Sequence, residues 1–154
     1  MDIAAIAPVP PPQSLLDALR NLRRPLLIGH VTPDADCLGS ALGLCMAMRD
    51  RGIAAYFALP GSSAAKRLGF MLDIVPRDVL TNGSPTGHDA IVALDTAAAK
   101  RLNAPVTIDL LPDTPVLNID HHLSNTGFGR INWIDAHACS TSEMRITSSV
   151  VQLR

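Results

Sequence analysis

Short apolar runs with polar stops divide this chain, and the runs are of two kinds. Between Ser14 and Pro25, Leu15, Leu16, Leu19 and Leu22 recur at helical spacing, and Ser14 followed by Asp17 has the form of a capping box that opens the helix. Leu26-Leu27-Ile28 is instead a continuous apolar run that breaks at Gly29-His30, as a parallel strand buried on both faces does. A helix is predicted from about Leu38 to Gly52, with Leu38, Ala41, Leu42, Cys45, Met46 and Met48 on a broad apolar face. Ile53 to Leu59 reads as a strand, Ala64 to Leu72 as a helix, and Pro76 to His88 mostly as loop. Two sharper runs follow: Ala90-Ile91-Val92-Ala93-Leu94 stops at Asp95, and Val116-Leu117-Asn118-Ile119 stops at Asp120. Short strands separated by helices and loops predict an α/β fold, an open and mostly parallel Rossmann-like sheet flanked by helices. Residues 1–12, rich in Ala and Pro, read as a flexible arm ahead of a single domain over 13–154.

Composition narrows the function. A chain of 154 residues suits one domain with one core. Apolar residues at 47%, charged residues at 18% and a mean hydropathy of +0.23 describe a globular, slightly oily protein with surface to spare for a partner, a second copy included. The formal charge of −1 leaves no basic field to hold a long nucleic acid, and aromatics at 3% are too few for stacking platforms. Small phosphorylated ligands fit better. Cys37, Cys45 and Cys139 are odd in number and contain no C-x-x-C pair, which argues against a disulfide framework or a zinc knuckle and for a reducing, cytoplasmic setting. The first residues carry no Lys or Arg before their short apolar stretch, unlike a secretory signal, and no apolar run reaches membrane-spanning length.

In open α/β sheets ligands bind beyond the carboxyl ends of the strands, where loops converge without packing duty. Three strand ends here carry chemistry: His30 with Asp34 and Asp36, then Asp95, then Asp120-His121-His122. Taken alone, Asp95 reads as a turn residue or helix cap, and a His-His pair as surface loop. Asp34 and Asp36, alternating on an extended turn after Pro33, are more telling, because one can face one cation and the other its neighbour. If the strands are neighbours, so many carboxylates in one cleft must raise their pKa values or hold cations between them. Carboxylate oxygens and imidazole nitrogens suit Mn²⁺, with Mg²⁺, Co²⁺ or Fe²⁺ as substitutes. Two such ions roughly 3.5–4 Å apart activate a water and stabilise charge on phosphate oxygens. Gly39-Ser40 follows at a helix start, where Ser40 reads as a phosphate contact or a cap. Cys37 sits among carboxylates, which disfavours a thiolate nucleophile, and His88 and His137 read as surface residues.

These residues resemble the motifs of the DHH phosphoesterase superfamily, which includes RecJ-like exonucleases, oligoribonucleases that also act on 3′-phosphoadenosine 5′-phosphate, and family II inorganic pyrophosphatases. His30-Val31-Thr32-Pro33-Asp34-Ala35-Asp36 matches the first motif, Val92-Ala93-Leu94-Asp95 the second and Asp120-His121-His122 the third. The resemblance implies that His30 and Asp34 bind one manganese, Asp36 and His121 the other, and Asp95 bridges them. It further implies that His122 contacts the substrate phosphate and that Asp120 orients the histidines. Asn132 to Glu143 resembles the Ser/Thr-rich lead-in to a helix in the oligoribonuclease-like branch.

The same resemblance implies a further strand, a fourth Asp-bearing motif and a second, substrate-gripping domain, none of which is read in Met144 to Arg154. The expectation is therefore a metal-dependent phosphohydrolase of short oligoribonucleotides or 3′,5′-bisphosphonucleotides, impaired in this chain. The alternatives are a catalytically silent metal- or nucleotide-binding module and a pyrophosphatase-like hydrolase.

Overall fold

A computed structural model describes residues 8–59, 62–82, 86–103 and 113–144, the side chains of 62–67 excepted. Its elements in chain order are α1 (Gln13–Asn21), β1 (Leu26–Ile28), α2 (Ala35–Arg49), β2 (Tyr56–Ala58), α3 (Ser62–Asp73), β3 (Leu80–Thr81), β4 (Ile91–Leu94), β5 (Val116–Asp120) and β6 (Ile131–Ile134). The six strands form one sheet in the order β3-β2-β1-β4-β5-β6, and every strand pair is parallel. The predicted α/β class therefore holds. The chain winds outward from β1 to β3, returns to β4 on the other side of β1, and winds outward again, so the direction of winding reverses between β1 and β4.

The continuous apolar runs have the cause the sequence suggests. Leu27, Val92, Leu117 and Ile119 face one core with Leu38, Ala41, Cys45 and Met48 of α2 and with Leu15 and Leu19 of α1. Their neighbours Leu26, Ile28, Ile91, Ala93 and Val116 face a second cluster with Leu102. Both faces are covered, so alternation of polar and apolar residues has no role in β1 and β4. Among the described residues no helix is long and apolar enough to cross a membrane.

Several expectations change at the element ends. The Ser14 and Asp17 capping box does not form: α1 begins at Gln13 after Pro12, and Asp17 accepts from Gln13 Nε2 at 2.9 Å and Arg20 at 2.8 Å. Ser14 falls inside the first turn, too late to cap it. Helix α2 starts at Ala35 rather than near Leu38, because Asp34 accepts from the amides of Asp36 and Cys37 at 3.1 and 3.0 Å and so caps it. The extended Asp34–Asp36 turn is thus a helix start.

Strand β2 is shorter than expected, and the stretch read as loop contains β3, whose two residues are too few to show a period. The predicted arm is partly outside the described residues. Its described end is pinned, since Val9 donates its amide to Asp135 and accepts from the Trp133 indole, both at 2.9 Å.

Candidate active site

Strands β1, β4 and β5 are adjacent, so their carboxyl ends deliver His30, Asp95 and Asp120-His121-His122 to one edge of the sheet. Asp95 is the hub. Its φ of +54° is the one positive value at a non-glycine among the described residues. That left-handed turn costs roughly 1–2 kcal/mol for most side chains and less for Asp. The Asp95 carboxylate is 2% exposed. Oδ2 lies 3.7 Å from His30 Nε2, while Oδ1 lies 3.5 Å from His121 Nε2 and 3.6 Å from His122 Nδ1. Oδ1 also accepts from the Thr141 hydroxyl at 3.0 Å.

Asp36 enters from the first turn of α2. Its Oδ2 is 3.8 Å from His121 Nε2 and accepts the Thr141 amide at 2.7 Å. Its Oδ1 accepts the Ser142 amide at 2.9 Å and the Ser142 hydroxyl at 2.6 Å. Burial pushes this carboxyl up, but the Ser142 and Thr141 bonds and the nearby His121 outweigh it, so its pKa lies below the ordinary value.

The last motif is held from behind. Asp120 is fully buried, accepts from Asn125 Nδ2 at 2.5 Å and is 2.7 Å from His122 Nδ1. That bond raises the His122 pKa against the lowering effect of burial, with the Asp120 and Asp95 charges adding to the rise. His121 is oriented differently, its Nδ1 lying 3.2 Å from the Ala138 carbonyl and its Nε2 facing the carboxylates. Asp120 therefore positions one histidine of the pair, not both.

Not every predicted residue joins the cluster. Asp34 is exposed, spends one oxygen on the cap of α2, and lies within ion-pair distance of no histidine among the described residues. Ser40 is buried within α2 and donates to the Cys37 carbonyl at 3.3 Å, while the cap is Asp34. His88 is half-buried against Tyr56, and His137 is exposed.

Two participants escape the sequence reading, and Cys37 has a place that the sequence reading does not give it. Thr141 and Ser142 hold both acidic residues from across the fold, and the only sequence signal for them is the Ser/Thr-rich segment. Cys37 is buried beside His30 and Asp95. Burial pushes its thiol up to about 12, against a hydrogen bond from the His30 backbone, and the carboxylates of Asp95, Asp34 and Asp36 push the same way.

Imidazole nitrogens and carboxylate oxygens 3.5 to 3.8 Å apart are too distant to share a proton well. His30 Nδ1 is buried with no hydrogen-bond partner. Donor atoms converging at distances too long for good hydrogen bonds, beside an orphaned ring nitrogen, fit a divalent cation. One His30, Cys37 and Asp95 donor set and one Asp95, His121 and His122 set each bring their ligand atoms within 4.8 Å of one another.

Fold and cluster together define a Rossmann-like domain with a candidate cation site where the winding of its sheet reverses. The chain matches the DHH family, N-terminal domain, over residues 25–151, and it belongs to that family. It is 32% identical over 130 residues to the bifunctional oligoribonuclease and PAP phosphatase NrnA of Thermus thermophilus, covering 83% of this chain and 37% of the relative. A crystal structure of an exopolyphosphatase-related protein from Bacteroides fragilis shares the fold, with a TM-score of 0.64 at 24% identity, over 93% of this chain and 43% of that one. The chain thus spans about two fifths of the length of either.

Proposed function

We propose that this domain hydrolyses phosphate esters of short oligoribonucleotides or of 3′-phosphoadenosine 5′-phosphate, using two divalent cations, preferentially Mn²⁺. The observation that carries the reading is the Asp95 carboxylate, buried and set between His30 on one oxygen and His121 on the other. The substrate class is taken from the Thermus thermophilus relative, whose name joins those two activities. In this reading His30 and Asp34 would hold one cation, Asp36 and His121 the other, and Asp95 would serve both. Asp34 would reach its cation with the oxygen that does not cap α2. When bound, the cations supply charge stabilisation at the phosphoryl oxygens and activation of a water.

The chain's own residues do the rest. Asp120 fixes His122 through Nδ1, leaving Nε2 of a side chain that is 43% exposed to meet a substrate phosphate. Thr141 steadies Asp95, and Thr141 and Ser142 steady Asp36. Three free cysteines fit the reducing cytoplasm as the place of action. The experiment is phosphate release from 3′-phosphoadenosine 5′-phosphate and chain shortening of a di- to pentaribonucleotide, with Mn²⁺ and with chelator. Release with metal that chelator abolishes supports the reading, and equal release in both sinks the metal-dependent mechanism.

A second reading is metal or nucleotide binding without turnover. It is favoured by the ligand sets of both cations, each of which has two proposed donors of its own, His30 with Asp34 or Asp36 with His121, and a share of Asp95. A cation held by three protein groups, one of them shared, is weakly neutralised. In that case Mn²⁺ binds by calorimetry and neither substrate turns over, even though the same protein is fully folded.

A further inference from the structure

Cys37 stands apart from the oxygen and nitrogen donors around it. Its side chain is fully buried. The sulfur occupies the space that a side chain at position 29 would fill, since a Cβ on Gly29 would lie 2.1 Å from Cys37 Sγ. Gly29 thereby forms a notch that lets the thiol pass under the end of β1. There the sulfur, a nitrogen of His30 and an oxygen of Asp95 all lie within 4.8 Å of one another, and all three residues are buried. The second, independent sign of a ligand is His30 itself, 6% exposed with Nδ1 lacking any partner.

We infer that Cys37 is a third donor at the His30–Asp95 position, one that thiophilic divalent cations such as Zn²⁺, Cd²⁺ or Co²⁺ recruit and Mn²⁺ leaves untouched. This rests on the proposal that a cation sits in the cluster. Thiolate sulfur selects soft cations, whereas carboxylate and imidazole serve Mn²⁺. On recruitment the S–H bond of Cys37 breaks, the proton leaves to solvent, and the freed electron pair forms the sulfur–cation bond, with nothing oxidised or reduced. The consequence is a site with two modes. Mn²⁺ is held by nitrogen and oxygen and remains exchangeable, while a thiophilic cation gains a sulfur ligand below the sheet edge and is retained.

Co²⁺ is the probe, because its visible ligand-field absorption reports binding and a near-ultraviolet sulfur-to-cobalt band reports a thiolate ligand. The protein carries three cysteines, so the double variant C45S/C139S leaves Cys37 as its only thiol without altering the site. The expected result is both absorptions in the native chain and in C45S/C139S, and loss of the near-ultraviolet band alone in Cys37→Ser. Cys37→Ser should also weaken Zn²⁺ binding on the order of 10- to 100-fold while changing Mn²⁺ binding less than about twofold. Visible absorption without the sulfur band in C45S/C139S overturns the assignment of Cys37 and leaves the cation site standing. Absence of both overturns the cation site and this inference with it. Because the double variant decides the question, a Cys37→Ser chain that failed to fold would not rescue the idea.

Discussion

The two halves of the sheet point their strands the same way and share one core, yet only one half ends in chemistry. Just beyond β2 and β3 the described residues are Leu59 and Asn82, neither of them acidic or an imidazole. Beyond β1, β4 and β5 stand His30, Asp95 and Asp120-His121-His122. The winding of the chain reverses within this second group, between β1 and β4. There the connections leave the sheet in opposite directions and open a crevice. Position along the sheet edge, rather than strand sequence, separates the half that packs from the half that can bind. β1 and β4 are buried throughout as thoroughly as any packing strand, and only the residues just past their carboxyl ends set them apart.

The strongest way to break this contrast is Asp95→Asn set against Thr81→Ala at the end of β3. If the hub carries both cation positions, Asp95→Asn should lower the phosphohydrolase rate on the order of 1000-fold, since cation stabilisation of phosphoryl charge is worth several kcal/mol. Thr81→Ala should leave it unchanged within about twofold, because Thr81, half-buried in β3, lies on a strand away from the cluster. Mn²⁺ calorimetry on both variants is the check, and undiminished Mn²⁺ binding by Asp95→Asn would remove Asp95 from the centre of the site.

Leu27→Ala tests the other half of the statement, that the strands below the site serve the core. Leu27 is fully buried among residues from both α1 and α2. Its truncation should cost about 2–5 kcal/mol of stability, read as a shifted denaturant midpoint. A shift under about 1 kcal/mol would mean that the strand is less tightly packed than its burial indicates.

How legible all this is depends on distance along the chain. Continuous apolar runs ending in Asp or His need only local sequence to be seen, so the residue pattern by itself puts His30, Asp95 and Asp120-His121-His122 at strand ends. Whether those strands are neighbours is a question of topology, answered by the parallel order β1-β4-β5. Asp34 and Asp36 read as equivalents on a turn, because an Asp that caps a helix and an Asp inside its first turn look alike in sequence. Thr141 and Ser142 are out of reach for another reason. They bond to Asp36 from 105 and 106 residues away, and no local pattern encodes such a contact.

Asp120→Asn sharpens the comparison within the active half. The substitution keeps the shape of the buried side chain but removes the charge that raises the His122 pKa and replaces one acceptor oxygen by a donor. Groups that orient a site's functional residues typically carry about 10- to 100-fold of its activity. The expected outcome is a loss in that range with Mn²⁺ affinity retained, because Asp120 is not among the proposed ligands. A parallel loss of Mn²⁺ affinity would make Asp120 a ligand instead.

The smallest effect belongs to Ser142→Ala, measured on metal-free protein in chelator. The Ser142 hydroxyl donates to Asp36 Oδ1 at 2.6 Å, alongside the Ser142 and Thr141 amides, which the substitution leaves in place. Losing one of three such bonds should cost about 1 kcal/mol at neutral pH. The sign of its pH dependence follows from the depressed Asp36 pKa. A carboxyl whose folded pKa is lowered contributes stability above its unfolded pKa, and that contribution fades as pH falls through the folded value. Ser142→Ala brings the folded pKa back toward the ordinary one, so the variant has less of this contribution to lose. Native chain and variant should therefore differ by the full amount at pH 7 and converge as the pH drops below about 4, where an ordinary Asp carboxyl takes up its proton. Urea denaturation at several pH values from 7 down to well below 4 supplies the test. A stability difference that stayed constant down to the acid limit would show that Ser142 acts through packing of the Ser142–Met144 turn and not through the charge on Asp36.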